Sequence, residues 1–143
     1  MAVVIDDRLL LDVLAGEAPA EMATQLGSGE VFTTSSWYYR LGRAAFSGSG
    51  VGALSGPLTS LDADVRRRVL AALQDLPEDV GLLHPRVVVP VMFTLRVRRQ
   101  LNVLSAEALA VAVLVGGGLF VTTDAPMLHA GARELGVPYT VVA

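Results

Sequence analysis

The chain contains no cysteine and no lysine. Without cysteine, it can form neither a disulfide nor a thiolate zinc site, and a reducing cytoplasm is the expected location. Without lysine, every mechanism that depends on a lysine amine is excluded. All eleven basic residues are therefore arginine.

Charge is also scarce, since charged residues make up 17% of the 143 residues and the formal net charge is −3. A global positive field that would attract nucleic acid or membrane is therefore absent. Hydrophobic residues make up 52% of the chain, which excludes intrinsic disorder and predicts self-association. The length fits one domain, spanning residues 1–143, with a core of its own.

No apolar run is long enough to cross a bilayer. The longest, residues 108–121, is shorter than the roughly 20 residues required and is interrupted by three glycines. The first sixteen residues carry Asp6, Asp7 and Asp12 and lack a basic lead, so they do not resemble a signal peptide. We expect a soluble protein that does not contact membranes.

Strands and helices alternate along the chain. Apolar runs predict strands at residues 2–5, 31–34, 80–83, 119–121 and 138–142. Periodic apolar spacing predicts helices at residues 8–15, 19–26, 37–46, 61–76, 85–100 (kinked at Pro90), 105–116 and 125–135, with Ser60 and Ser105 as capping residues. Residues 47–60, rich in glycine and serine, are predicted to form a flexible loop, with high mobility at residues 47–56. This order predicts a three-layer α/β/α sandwich with a central parallel sheet.

Carboxylates follow two of the predicted strands. Asp6 and Asp7 come after the first strand and Asp124 after the fourth, while Glu107 lies in the first turn of the helix before that fourth strand. Parallel sheets bind ligands beyond the carboxyl ends of their strands, and clustered carboxylates suit Mg²⁺ or Mn²⁺. Each acid alone is equally explained as a helix cap, because acids are favoured at helix N-termini.

Two motifs resemble the PIN-domain family, which includes the VapC-type toxin ribonucleases. VVIDDRLLLDVLAG, at the start, resembles the family's strand, aspartate and helix. SAEALAVAVLVGGGLFVTTDAPMLHAGARELGVPYTVV, at the end, resembles its acid, alanine-rich helix, strand ending in Thr-x-Asp, helix and strand. Residues 47–100 resemble the family poorly.

The resemblance implies a PIN-like fold in which Asp6, Glu107 and Asp124 are catalytic metal ligands, with Asp7 an additional candidate ligand. Thr122 or Thr123 would lie beside the site. The family's remaining acid, a glutamate, aligns with Arg40, and Arg8 replaces a small hydroxyl residue. Arg8 and Arg40 would contact RNA or neutralise the carboxylates without a metal. An inward-facing Arg40 is expected to pair with Asp6 or Asp124.

Two functions follow from this resemblance. The first is a toxin-type endoribonuclease that uses Mg²⁺ or Mn²⁺ to hydrolyse RNA phosphodiesters. The second is a PIN-like binding or regulatory module that has lost catalysis and acts through dimer or partner contacts. Arg40, in place of the glutamate, is the feature that divides the two functions.

The expected partners are a second copy of the chain, an antitoxin-like protein and RNA. A homodimer is predicted to use the helix at residues 37–46 or the helix at residues 85–100, and Trp37 is assigned to the core. His84 and His129 lack ligand spacing and are interpreted as structural or surface residues.

Overall fold

A computed structural model describes residues 1–47 and 54–142. Five short strands form one sheet in the order β3-β2-β1-β4-β5, and every neighbouring pair is parallel. The strands are β1 (Val3–Ile5), β2 (Val31–Phe32), β3 (Val80–Gly81), β4 (Gly118–Val121) and β5 (Tyr139–Val141). The parallel sheet predicted from the sequence is confirmed.

Helices occupy most of the segments between the strands. In the described residues they are α1 (Asp7–Leu14), α2 (Ala23–Ser28), α3 (Ser35–Phe46), α4 (Ser55–Thr59), α5 (Ala63–Gln74), α6 (Pro85–Thr94), α7 (Val103–Val115) and α8 (Pro126–Leu135). A 3₁₀ turn, Ala20–Met22, precedes α2. None of the described helices is long and apolar enough to cross a membrane.

Two apolar cores flank the sheet, because successive side chains of a strand point to opposite faces. Val3 and Ile5 of β1 join a core built with α1, α3, α4 and α5, whereas Val4 joins a second core built with α6, α7 and α8. Trp37 is buried in the second core, as predicted. The molecule is the expected three-layer α/β/α sandwich.

Two predicted helix caps were wrong. Asp62, not Ser60, accepts the N–H of Val65 at the start of α5, and Asn102, not Ser105, caps α7 by accepting the N–H of Ser105. Aspartate and asparagine cap at least as well as serine, so the helix begins where their side chains reach the free backbone N–H groups.

The helix predicted at residues 85–100 is too long, because α6 ends at Thr94 and Leu95 is already extended. Beyond it the backbone N–H of Arg98 donates to the Glu134 carboxylate of α8 at 2.7 Å, a tertiary contact that a local pattern does not reveal. The predicted loop at residues 47–60 includes helix α4, anchored by the buried Leu54 and Leu58. Mobility was predicted for residues 47–56, of which residues 48–53 lie outside the described part.

Close backbone packing places β4 beside β1. A Cβ atom on Gly117 would lie 2.1 Å from the carbonyl oxygen of Ala2, so only glycine fits there. Gly116 precedes it with a φ of 66° and ends α7. The strand ends that carry Asp6 and Asp124 are therefore neighbours in the sheet.

Candidate functional site

Strand register brings the first and last predicted acids to one edge of the sheet. Ile5 of β1 pairs with Phe120 of β4, so the chain leaves both strands at the same level. Asp6 follows β1 directly, and Thr122, Thr123 and Asp124 follow β4. This is the strand-end location expected for a ligand site in a parallel sheet.

Asp6 is buried, and both of its oxygens accept hydrogen bonds. Its Oδ1 accepts the N–H of Leu9 at 2.9 Å and thereby caps α1. Its Oδ2 accepts the backbone N–H of Thr122 at 2.8 Å and the Thr122 hydroxyl at 2.9 Å. Asp6 therefore ties the start of α1 to the end of β4, and the predicted role of Thr122 as its neighbour matches these contacts.

Asp7 pairs with the residue that replaces the expected glutamate. The Nε atom of Arg40 lies 3.5 Å from Oδ2 of Asp7, which is buried and accepts no hydrogen bond from the described residues. The other oxygen, Oδ1, accepts the N–H of Arg8 at 2.9 Å. Arg40 thus faces the site, as considered from the sequence, but its partner is Asp7 and not Asp6 or Asp124.

Burial raises the pKa of the Asp7 carboxyl above its usual range. The Arg40 guanidinium opposes that rise, and the negative charge of Asp6 adds to it. Because the Arg40 side chain is 55% exposed, solvent screens the pair and its net contribution to stability is small. The arginine therefore compensates only part of the cost of burying the Asp7 charge.

Arg8 is paired along its own helix. Its guanidinium lies 3.4 Å from Oδ1 of Asp12, one turn further along α1. Burial raises the pKa of the Asp12 carboxyl above its usual range, and the positive charge of Arg8 opposes that rise. Arg8 and Arg40, the two cations singled out in the sequence, are thus each beside a carboxylate.

A cavity of about 680 Å³ opens between α1, α3 and the loop after β4. Among the residues that line it are most of the predicted site residues: Asp6, Asp7, Arg8, Arg40, Thr122, Thr123 and Asp124. Trp37, Arg43 and Asn102 also contribute to the wall. Arg43, one turn beyond Arg40 on α3, was not singled out in the sequence.

Glu107 is held at a different contact. Its Oε1 accepts the backbone N–H of Ser36 at 3.0 Å, in the first turn of α3. It is not among the described residues that line the cavity. A carboxylate there is favoured by the free N–H groups and the dipole at the start of α3, so Glu107 ties α7 to α3.

Asp124 belongs to a small polar cluster that sequence reasoning missed. Its Oδ1 accepts the hydroxyl of Tyr139 at 3.0 Å and lies 3.6 Å from Nδ1 of His129. The His129 and Tyr139 rings stack with centroids 4.2 Å apart, and the tyrosine oxygen accepts the N–H of Ala125. Only the Thr-x-Asp motif marked this region, because the pairing of β4 with β5 that delivers Tyr139 is tertiary.

Whether these residues could bind a divalent cation depends on how many of their carboxylate oxygens are free. Within the described residues, no three His, Cys, Asp or Glu side chains lie close enough to share a metal ion. Asp6 directs its oxygens at N–H and O–H groups, Asp7 lies against Arg40, and Glu107 is bonded to Ser36. In this arrangement the residues do not fit a Mg²⁺ or Mn²⁺ shell, which requires several free oxygens.

The cavity, here called the acidic cleft after its carboxylates, is lined by three aspartates and three arginines, so it contains its own cations. No protein-family model matches the chain, and no curated protein matches it in sequence. Function therefore has to be inferred from the residues of the cleft themselves.

Proposed function

We propose that the chain is a PIN-like binding module that has lost catalysis and acts through protein contacts. The observation that carries this proposal is the Arg40–Asp7 pair, with Nε and Oδ2 3.5 Å apart, at the sequence position where the resembled family has a metal-binding glutamate. An arginine there removes one ligand oxygen and adds a positive charge. Both changes disfavour a bound divalent cation.

Electrostatics supports this proposal. Two adjacent carboxylates, Asp6 and Asp7, repel one another in a partly desolvated site unless positive charge lies nearby. Hydrogen bonds from Leu9 and Thr122 stabilise the charge on Asp6, and Arg40 stabilises that on Asp7. Groups of the chain itself therefore compensate part of the negative charge in the cleft, which reduces the need for a metal ion there.

A second candidate is the toxin-type endoribonuclease that depends on Mg²⁺ or Mn²⁺. In its favour, Asp6, Asp7 and Asp124 line one cavity, where arginines could meet RNA phosphates. Asp124 is 55% exposed, and it would have to release the Tyr139 hydroxyl to turn towards a metal ion. For this function, Glu107 would have to release Ser36 and Arg40 would have to release Asp7.

Metal titration separates the two functions. We would titrate Mn²⁺ by calorimetry into the wild type, Arg40→Glu and Arg43→Met, and assay each for cleavage of single-stranded RNA with Mn²⁺. Arg43→Met is the matched control, because Arg43 lines the same cavity but has no carboxylate within ion-pair distance in the described residues. The binding-module proposal expects no Mn²⁺ binding and no cleavage by the wild type or Arg43→Met, and binding gained by Arg40→Glu.

Two results would count against this proposal. Mn²⁺ binding with RNA cleavage by the wild type would establish the nuclease. Failure of Arg40→Glu to bind Mn²⁺, although it folds, would show that Arg40 is not what keeps metal out of the cleft.

The proposal includes a symmetric homodimer formed through α3. Tyr39 and Phe46 are exposed on α3, beside a groove that also includes Tyr38 and Leu73. These side chains support α3 as the interface of a symmetric homodimer. An antitoxin-like partner and a cytoplasmic location remain predictions from the resemblance and from the absence of cysteine.

A further inference from the structure

Charge is divided unevenly between two parts of this chain. Residues 80–106, here called the basic segment, contain four of the eleven arginines and none of the fourteen acids. The basic segment therefore carries +4 and the remainder −7, which together give the net charge of −3. The basic segment is therefore a strongly positive stretch of a chain whose remainder is acidic in net charge.

The four arginines of this segment are Arg86, Arg96, Arg98 and Arg99, and all are exposed. Within the described part of the chain, none of their guanidiniums lies within 4.0 Å of a carboxylate. Glu134 approaches the segment, but it accepts the backbone N–H of Arg98. The positive charge of the four side chains is therefore available to a partner.

Large apolar side chains lie exposed among these arginines. On α6, Arg86, Val89 and Phe93 are spaced three and four residues apart and share one helical face, opposite the buried Val88. Phe93 is 80% exposed. Val103, at the start of the adjacent α7, is 69% exposed. Such side chains together on two helices that pack against one another are typical of an interaction surface.

We infer that this face of α6 and the start of α7 binds an acidic amphipathic segment of a partner protein. Apolar side chains of that segment would cover Val89, Phe93 and Val103, and its flanking carboxylates would pair with Arg86 and Arg96. The inference deepens the proposed binding function and rests on it, but it concerns residues outside the acidic cleft.

Charge also argues against three other partners for this face, namely a second copy of the chain, a membrane surface and a long RNA. Pairing this face with the same face of a second copy would place +4 against +4, which is repulsive. A membrane surface or a long RNA would extend beyond the basic segment and meet the remaining surface, which carries −7. A short acidic peptide can be confined to the segment, and it also satisfies the exposed apolar side chains.

The probe is a synthetic helical peptide with leucines on one face and glutamates beside them, and its match has lysines in place of the glutamates. Binding to the full chain would be measured by fluorescence anisotropy and mapped by NMR chemical-shift changes. We expect the acidic peptide to bind at least about tenfold more tightly than the basic one, and to weaken as salt is raised. Shift changes should centre on Phe93 and Val103.

Two variants and one control test the residues. Phe93→Ser and the double variant Arg86→Gln/Arg96→Gln should each weaken acidic-peptide binding at least about fivefold, with folding unaffected because the side chains are exposed. Val103→Ser replaces Phe93→Ser if the latter does not fold. Val141→Thr, at an exposed position of the edge strand β5, is the control and should bind as the wild type does.

Competing occupants are tested with the same variants. Membrane binding is tested with vesicles of phosphatidylcholine and phosphatidylserine, nucleic-acid binding with an oligouridylate RNA, and self-association by sedimentation of the chain alone.

The inference is overturned if the two peptides bind equally or not at all. It is also overturned if Phe93→Ser abolishes vesicle binding, RNA binding or dimer formation but leaves peptide binding unchanged. If the chain binds the peptide and also cleaves RNA with Mn²⁺, the proposed loss of catalysis is refuted and this inference stands. If the chain binds neither Mn²⁺ nor the peptide, this inference alone is refuted.

Discussion

The Arg40 guanidinium lies beside the buried Asp7 carboxylate, with Nε 3.5 Å from Oδ2, although 33 positions separate the two residues in the chain. β1 leads directly into α1, and β2 into α3, so neighbouring parallel strands deliver both side chains to the same cleft. The pair places the positive guanidinium of Arg40 where clustered carboxylates would otherwise attract a metal ion. Its consequences can be measured in solution.

The stability of the fold should decrease as Asp7 ionises. Because burial raises the folded-state pKa of Asp7, stability from its neutral form is fully present below the unfolded value of about 3.9 and is lost as pH rises through the folded value. Asp7→Asn removes this dependence. Urea unfolding from acidic to neutral pH should show Asp7→Asn gaining on the wild type as pH rises, and a constant difference would contradict the prediction.

Burial raises the pKa of Asp7, and the positive charge of Arg40 opposes that rise. Removing Arg40 should therefore raise the pKa of Asp7 further. The carboxyl carbon of Asp7, followed by NMR through a pH titration, should therefore titrate at higher pH in Arg40→Met than in the wild type. Arg43→Met serves as the control and should leave the Asp7 titration unchanged. Equal Asp7 titration in Arg40→Met and the wild type would show that the pair is absent in solution.

Asp6 should contribute to stability whether or not metal is present. Asp6→Ala removes the cap of α1 and leaves the N–H of Thr122 without an acceptor, for an expected loss of about 2–4 kcal/mol in the free energy of unfolding. Asp6→Asn keeps an oxygen for Leu9 and should lose less, about 1–2 kcal/mol. Urea denaturation with a chelator present measures both variants. A fully stable Asp6→Ala would exclude the structural role.

Glu107 should behave as a link between helices. Glu107→Ala removes the acceptor for the Ser36 N–H and is expected to cost about 1–2 kcal/mol of stability. Glu107→Gln retains an acceptor oxygen and loses only the charge, so its cost should be about 0.3–1 kcal/mol. Denaturation curves in the presence and absence of Mn²⁺ should agree for all three proteins. A Mn²⁺-dependent stability of the wild type that Glu107→Gln abolishes would instead assign Glu107 to a metal.

Two glycines should respond to alanine in opposite directions. Gly117→Ala forces a Cβ atom against the carbonyl of Ala2 in the neighbouring strand, and we expect a loss of about 1–3 kcal/mol. Gly42, in the interior of α3, has open space around it, so Gly42→Ala should gain up to about 1 kcal/mol through helix propensity. Thermal unfolding of both variants provides the comparison. Similar melting temperatures would show that the β1–β4 edge is looser than described.

Local patterns determined the sequence of elements and the edge of the sheet that carries acids. Apolar runs predicted every strand, because a parallel strand is buried on both faces and reads as a continuous apolar segment. Alternating helices then favour parallel pairing, which by itself places Asp6 and Asp124 at the same edge of the sheet. Helix ends were predicted less well, as at Ser105, because several nearby side chains compete to cap the same N–H groups.

Only the tertiary structure decided which group each of these acids contacts. Asp7 contacts Arg40 across two helices, Glu107 reaches the start of α3, and Asp124 is bonded to Tyr139 of the last strand. Each contact joins segments distant in sequence, so neither periodicity nor spacing could reveal it. The sequence determined where carboxylates gather, since the strands and their parallel direction follow from the local hydrophobic pattern. The folded packing determined how their charge is compensated, since that depends on distances of a few ångströms.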